Sequence, residues 1–119
     1  MLRRGQVWWV DLGVPRGSSP GYKRPVVVIQ ADLFNKTEVG SVIVAIATTT
    51  KRLGSMPGNV SVSRGVGGLR EDSVINVTQL YTVDRIDLLE FIGTLPKAIM
   101  DQVDNGLRLV LSLRSRGNS

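Results

Sequence analysis

The sequence predicts a mainly β protein, a partly closed antiparallel barrel that carries a terminal α-helix. Five or six short segments rich in Val, Ile and Thr are typical of strands. Two long loops rich in Gly, Pro and Ser separate the early strands, and apolar residues near the end of the chain recur at helical spacing. A chain of 119 residues fits one domain of this kind.

The first half of the chain predicts three strands and two loops. Residues 7–12 are β-branched and aromatic and predict the first strand, and residues 13–21 predict a loop. Residues 25–30 form a nearly continuous apolar run, which indicates a strand covered on both faces. A third strand is predicted over residues 41–48 and a second long loop over residues 51–59.

The second half predicts further antiparallel strands and the terminal helix. Residues 60–63 and 73–80 alternate with a period of two, as half-buried strands do. A short helix capped by its first residue is predicted over 84–90, then a strand over 91–95, and Pro96 suits a first helical position. The apolar stripe of this last helix comprises Ile99, Met100, Val103, Leu107, Val110 and Leu111.

The domain is predicted to span residues 1–113, followed by a flexible tail over residues 114–119. No internal repeat or second domain is evident. Gly106 lowers the intrinsic stability of the last helix by about 1 kcal/mol relative to Ala. We therefore expect that helix to depend on packing against the sheet.

The chain contains no His and no Cys, which removes imidazole bases, thiolate nucleophiles and most zinc sites. No group of acidic residues has the spacing of metal ligands, so neither a metal nor another cofactor is expected. No apolar run reaches the roughly 18 residues of a membrane helix, and the N-terminus does not resemble a signal peptide. The sequence therefore predicts a cytoplasmic protein without a membrane partner.

The charge is strongly positive and unevenly distributed. The formal net charge is +5 and the pI is about 10.2, which favours polyanionic partners. Residues 1–60 hold eight Lys and Arg against three acidic residues, whereas the second half holds seven of each. We expect phosphates to bind to the first half. A basic surface that serves only solubility is the alternative.

Arg24 stands between a basic loop and an apolar strand. Its planar guanidinium can donate two hydrogen bonds to one phosphate and stabilise a charged phosphorane, but it is a poor proton acceptor. Alternatively, Arg24 caps loop carbonyls or pairs with Asp11 or Asp32.

Thr48, Thr49 and Thr50 directly follow an apolar strand. At least one hydroxyl faces the same rim as Arg24 if the two strands are neighbours, and it could then donate a hydrogen bond to phosphate. The alternative is structural, because Thr often ends a strand by bonding to the backbone.

Two further sets of residues could contact a nucleic acid. Trp8 and Trp9 are adjacent and so point to opposite faces of a strand, one into the core and the other towards a base or a partner. Basic loop residues could follow a phosphate backbone or could be solvated loop tips. These basic residues are Arg16, Lys23, Lys51 and Arg52.

In their order along the chain, these segments resemble the MazF/PemK family, the endoribonuclease toxins of toxin–antitoxin pairs. The resemblance covers nearly the whole sequence and depends on the combination of segments. The matching segments are residues 4–12, Gly17-Ser18, residues 24–30, the strand end at Thr48, residues 72–75 with Gln79, and residues 82–84.

The resemblance implies an SH3-like barrel that forms a homodimer and is held in check by an acidic antitoxin protein. It implies metal-independent, sequence-selective cleavage of single-stranded RNA, in which the 2′-hydroxyl attacks the adjacent phosphorus. Arg24 and Thr48 match the catalytic pair of the family. The RNA-binding residues that we assign are Arg16, Ser18, Ser19, Tyr22, Lys23, Thr49, Thr50, Lys51, Arg52 and Gln79.

Two positions depart from the family pattern. Ser19 stands where the family often has an acidic residue, so no general base can be named from the sequence. Tyr22 stands where the family usually has Gly, and its ring could change the groove or stack on a base.

Two other functions fit the same barrel. A non-enzymatic toxin that binds a protein such as a topoisomerase would cleave no RNA and would tolerate substitution of Arg24. A plain RNA-binding barrel would bind without cutting and would show a steep dependence on salt.

Overall fold

Six antiparallel strands form one curled sheet in the computed structural model, which describes residues 1–14, 17 and 22–114. The strands are β1 Gln6–Asp11, β2 Lys23–Val28, β3 Ser41–Thr48, β4 Val60–Val62, β5 Ser73–Asp84 and β6 Leu88–Thr94. The helices are α1 Asp32–Asn35 and α2 Lys97–Val110, and 3₁₀ turns cover Lys51–Ser55, Val66–Gly68 and Arg85–Asp87. The strand order is β4-β5-β3-β2-β1-β6, which confirms the predicted half-closed antiparallel barrel with a terminal helix.

The central strands β2 and β3 are buried on both faces, as predicted for residues 25–30. Successive residues contribute alternately to two clusters, because side chains of a strand point to opposite faces. The first cluster, here the helix-side core, contains Val27, Ala45, Ala47 and the buried residues of α2. The second, here the opposite core, consists of Val10, Val26, Val28, Val42, Val44 and Ile46.

Helix α2 closes the helix-side core through Met100, Val103 and Leu107. Gly106 is also buried, and a Cβ there would overlap the carbonyl oxygen of Gly58. Gly106 therefore allows the helix to pack closely against Gly58, although glycine has a low helix propensity.

The apolar stripe of α2 is only partly buried. The helix packs on the sheet as expected, but the last two members of the predicted stripe, Val110 and Leu111, are exposed.

The helix predicted over residues 84–90 is wrong. Strand β5 continues to Asp84, one 3₁₀ turn follows, and β6 already begins at Leu88. The backbone N–H of Arg85 donates to Gly40 O at 2.8 Å, and its guanidinium donates to the carbonyl of Asn35 at 2.9 Å. These tertiary contacts hold the turn, and the Asp84 side chain makes no cap hydrogen bond.

Among the described residues, no helix has the length and apolar character needed to cross a membrane. Most of the predicted tail, residues 115–119, lies outside the described part of the chain.

Candidate functional site

The start of β2 and the end of β3 meet at one edge of the sheet, because the two strands are antiparallel neighbours. Val26 pairs with Ile46 in their ladder, and continuing this register by two residues sets Arg24 opposite Thr48. Both side chains are in phase with Val26 and Ile46, so they share the face of the opposite core. Directly opposed residues have Cβ atoms about 5 Å apart, within reach of one phosphate group.

Thr48 has a backbone partner, as the structural alternative expected. Its Oγ1 accepts a hydrogen bond from the backbone N–H of Thr50 at 3.2 Å. A hydroxyl can accept one hydrogen bond and donate another. The Thr48 O–H can therefore still be donated to a phosphate oxygen.

Lys23 and Thr49 belong to the other face, since each is one residue out of phase with the Arg24–Thr48 pair. Both line a cleft of about 470 Å³, here called the Trp9 cleft. Arg24 also lines this cleft. The cleft therefore reaches the strand end that carries Arg24. The full lining is Trp9, Lys23, Arg24, Pro25, Ala47, Thr49, Gly68, Leu69, Arg70, Glu71, Ser73, Glu90, Phe91 and Ile92.

The two tryptophans point to opposite faces, as predicted. Trp8 packs against the opposite core and meets the ring of Phe91 edge-on, with the ring centres 5.6 Å apart. Trp9 lines the cleft and is only partly buried. Trp9 is therefore the tryptophan that a ligand in the cleft would contact.

A second depression continues from the Trp9 cleft and is here called the Arg70 groove. It holds about 350 Å³ and shares three residues with the cleft, so the two form one path across the surface. The groove is lined by Thr49, Lys51, Arg64, Arg70, Glu71 and Asp72.

Sequence reasoning missed Arg64 and Arg70. The positive field was expected from the first half of the chain, yet these two residues extend it from the second half. Strand β5 pairs with β3, Thr48 opposite Val74, so the segment before β5 arrives beside the end of β3. The predicted antiparallel strand over 73–80 was the signal that could have located them.

Acidic residues also line this path and were not singled out from the sequence. Glu71 and Glu90 line the Trp9 cleft. Asp72 approaches Lys51 with 3.8 Å between the charged atoms, in a pair that is largely exposed and therefore worth little. The path thus offers hydrogen-bond acceptors as well as cations to a ligand.

The structure places the remaining predicted RNA-binding residues as follows. Thr50 is the N-cap residue of the 3₁₀ turn that contains Lys51 and Arg52, and all three are exposed. Tyr22 is exposed beside Lys23. The predicted residues Arg16, Ser18 and Ser19 lie outside the described residues.

Gln79 is not brought into the cleft or the groove. It lies in an irregularity of β5, where Ala45 pairs with Leu80 but the next residue, Ile46, pairs with Asn76. The Gln79 side-chain oxygen accepts a hydrogen bond from Asn76 Nδ2 at 3.1 Å. In this structure Gln79 supports the irregular turn of the strand, and its contact with RNA stays a prediction.

Within residues 1–14, 17 and 22–114, no three or more Asp or Glu side chains are grouped so that they could hold a metal ion. The arrangement can bind phosphate through Arg24 and Thr48. It can hold planar and charged groups beside Trp9, Lys23 and Arg70.

Comparison with known proteins identifies a family. The family pattern described as "PemK-like, MazF-like toxin of type II toxin-antitoxin system" matches residues 3–111. Endoribonuclease MazF6 of Mycobacterium tuberculosis is 42% identical over 113 residues, which cover 95% of this chain and 99% of that protein. Endoribonuclease EndoA of Bacillus subtilis is 34% identical, with 95% and 97% covered.

Solved structures share the fold. An endoribonuclease in complex with its cognate antitoxin from a mycobacterial species superposes with a TM-score of 0.80 at 23% identity, covering 97% of this chain and 99% of that one. A chain of a MazE–MazF crystal structure from Deinococcus radiodurans gives a TM-score of 0.75 at 18% identity, with 95% of this chain and 97% of that one covered.

Proposed function

This chain belongs to the PemK-like, MazF-like toxins of type II toxin–antitoxin systems, and we propose that it is an endoribonuclease that cuts single-stranded RNA selectively and without a metal. The endoribonuclease names of its relatives support the activity. The observation that supports the chemistry is the β2–β3 ladder, in which Val26 pairs with Ile46, because its continuation by two residues would bring Arg24 opposite Thr48 at one end of the sheet.

The proposed reaction is an internal transfer at one phosphodiester. The substrate's 2′-oxygen attacks the phosphorus and loses its proton, the bond to the 5′-oxygen breaks, and that oxygen takes up a proton. The products are a 2′,3′-cyclic phosphate and a free 5′-hydroxyl. DNA resists, because it lacks the attacking oxygen.

Arg24 and Thr48 supply the stabilisation in this mechanism. Negative charge accumulates on the non-bridging oxygens of the phosphorane, where the guanidinium fork of Arg24 can donate two hydrogen bonds. The Thr48 hydroxyl donates another and holds the phosphate so that attack is in line with the leaving oxygen. Neither group has to accept a proton in these roles.

We propose that the RNA follows the continuous path from the Trp9 cleft to the Arg70 groove, with the scissile phosphodiester at the strand ends, where Arg24 lines the cleft and Thr48 directly precedes the lining residue Thr49. Lys23, Lys51, Arg64 and Arg70 would contact phosphates along it, and Trp9 offers a face to a base. The carboxylates Glu71 and Glu90 could accept hydrogen bonds from base N–H groups, which would contribute to sequence selectivity.

We further propose two protein partners and a compartment. An antitoxin with an acidic segment would cover the basic path and block RNA, as charge complementarity favours; solved relatives in complex with antitoxins support such a partner. A second copy of this chain would form a homodimer, and its test is sedimentation at several concentrations. RNA as substrate would place the protein in the cytoplasm.

The activity is tested by incubating the purified protein with a long single-stranded RNA in EDTA and mapping the new 5′ ends. We expect cuts at a short shared sequence, with 5′-hydroxyl ends. Cleavage that requires an added divalent ion would contradict metal independence, and intact RNA would contradict the proposed function itself.

A further inference from the structure

Tyr22 adopts a backbone conformation that suits glycine. Its φ is +57°, in the left-handed region where an L side chain with a Cβ is strained. The backbone is held there from both sides, because Leu12 N–H donates to Tyr22 O at 2.9 Å and Tyr22 N–H donates to Gly13 O. These bonds close the ladder between β1 and β2, so the conformation is part of the fold.

The Tyr22 ring contributes little to the stability of the folded chain. The residue is 64% exposed, and within the described part of the chain its ring takes part in no hydrogen bond or aromatic contact. Glycine would satisfy the same backbone bonds without the strain. Strain at a residue whose side chain lies in solvent points to a role in binding.

The position of Tyr22 indicates what it binds. It directly precedes Lys23 and Arg24, which line the Trp9 cleft, so this exposed residue adjoins the proposed phosphate-binding site along the chain. An exposed aromatic ring beside cations is the combination that binds unpaired bases, by stacking on the base while the cations hold its phosphates.

We propose that Tyr22 is a specificity-determining residue that stacks on one unpaired base next to the scissile phosphodiester. This inference rests on the proposed function. Stacking on one base changes affinity by about 5-fold to 150-fold. A purine offers the larger face, so a purine at that position is favoured over a pyrimidine.

The test compares Tyr22→Gly with Tyr22→Phe. The probe is a short RNA that contains the mapped cleavage sequence, with the 2′-hydroxyl at the cut replaced by hydrogen, and binding is followed by fluorescence anisotropy. We expect Tyr22→Gly to weaken binding at least 5-fold while its melting temperature is equal to or above that of the parent. Tyr22→Phe keeps the ring and should bind within about 2-fold of the parent.

A second arm identifies the stacked base. Each nucleotide flanking the cut is replaced in turn by an abasic one, and binding is measured with the parent and with Tyr22→Gly. At one position the abasic probe should weaken parent binding as much as Tyr22→Gly does, and the two changes together should cost no more than either alone. Additive losses at every position would overturn the proposal.

Other outcomes are equally decisive. Parent-like binding by Tyr22→Gly would overturn the stacking role, and so would a loss for Tyr22→Phe equal to that for Tyr22→Gly, since the hydroxyl would then be the binding group. If the parent bound single-stranded RNA but never cut it, the endoribonuclease proposal would fail. The comparison of Tyr22→Gly with Tyr22→Phe would then be made on that uncut RNA, and a loss of binding for Tyr22→Gly alone would support the stacking role.

Discussion

At the scale of single residues, the alternation of side chains divides the strand ends between two tasks. Arg24 and Thr48 are in phase with the residues of the opposite core. Their neighbours Lys23 and Thr49 alternate to the other face and line the Trp9 cleft, which Arg24 also lines at the strand end. The residue pattern identified a run of three threonines at the end of β3 but could not distinguish them, because that choice depends on the pairing register. Only the family resemblance singled out Thr48. Because Thr48 and Thr49 carry the same hydroxyl on opposite faces, substituting each in turn tests which of them takes part in cleavage.

Thr48→Val should reduce the rate of RNA cleavage by about 10²- to 10³-fold, the effect of removing one donor to a developing negative charge. The control is Thr49→Val, which removes a hydroxyl from the other face and should mainly raise the protein concentration that gives half the maximal rate. Single-turnover cleavage of a fluorescent RNA at several protein concentrations measures the maximal rate and this half-saturating concentration. Equal losses of rate in the two variants would contradict the assignment of Thr48.

Arg24→Lys should cut at least 10²-fold more slowly than the parent, because an ammonium keeps the charge but loses the two-pronged donor geometry. Its binding to uncleavable RNA should change much less than its rate. Circular dichroism spectra of Arg24→Lys and the parent should coincide. A Lys variant that cuts at the parent rate would show that charge alone suffices.

At the scale of elements, close packing of α2 against the loop before β4 explains a glycine that helix propensity alone disfavours. Gly58 and Gly106 meet there, and a Cβ at Gly106 would overlap the carbonyl oxygen of Gly58. The periodic stripe predicted the helix correctly, but its contact with Gly58 is between residues far apart in sequence. The same reason explains the wrong helix over 84–90, where tertiary contacts of Arg85 override local propensity.

Gly106→Ala should destabilise the protein by about 1–3 kcal/mol, as overpacking of a filled interior does, although Ala is the better helix former. The exposed residue Gln102 on the same helix provides the control. Gln102→Ala should lie within about 0.5 kcal/mol of the parent in urea unfolding. A stabilised Gly106→Ala would show that α2 sits farther from Gly58.

Asp32 at the start of α1 should add an acid-sensitive contribution to stability. A hydrogen bond from Asn35 Nδ2 and another from the backbone N–H of Arg4 lower the pKa of the Asp32 carboxyl. A lowered folded pKa stabilises the protein above the ordinary Asp value of about 4, and this stability is lost as the pH falls through the folded value. As the pH is lowered from about 6 to about 2, the urea concentration at the unfolding midpoint should therefore fall more steeply for the parent than for Asp32→Asn. Parallel pH profiles would refute this role.

At the scale of the whole molecule, the path formed by the Trp9 cleft and the Arg70 groove carries an excess of positive charge. Its cations come from two separate parts of the sequence. Composition predicted a polyanionic partner, and the charge distribution assigned the positive field to residues 1–60, which include Lys23, Arg24 and Lys51 of this path. The contribution of Arg64 and Arg70 could not be read from local charge counts, because strand pairing brings them to the path. The fold class, both buried faces of β2 and the end of β3 were predictable, since each depends on local periodicity.

Binding of uncleavable RNA should weaken steeply as salt rises, and each phosphate contact should contribute about 0.7 to the slope of log affinity against log salt. Arg64→Ala with Arg70→Ala should lower the slope by about 1.4. Lys97→Ala changes an exposed cation on α2 that pairs with Asp101, and it should leave the slope unchanged. Equal slopes in the double variant and the parent would exclude the Arg70 groove from the RNA path.

The mechanism is tested most directly by removing the attacking group from the substrate. An RNA is prepared with hydrogen in place of the 2′-hydroxyl at one mapped cleavage position, leaving a second identical site intact. Cleavage should vanish at the modified site and continue at the intact one, where the fragments carry a 2′,3′-cyclic phosphate and a 5′-hydroxyl. Cleavage at the modified site at an undiminished rate would contradict the role of the substrate oxygen, and with it the roles of Arg24 and Thr48.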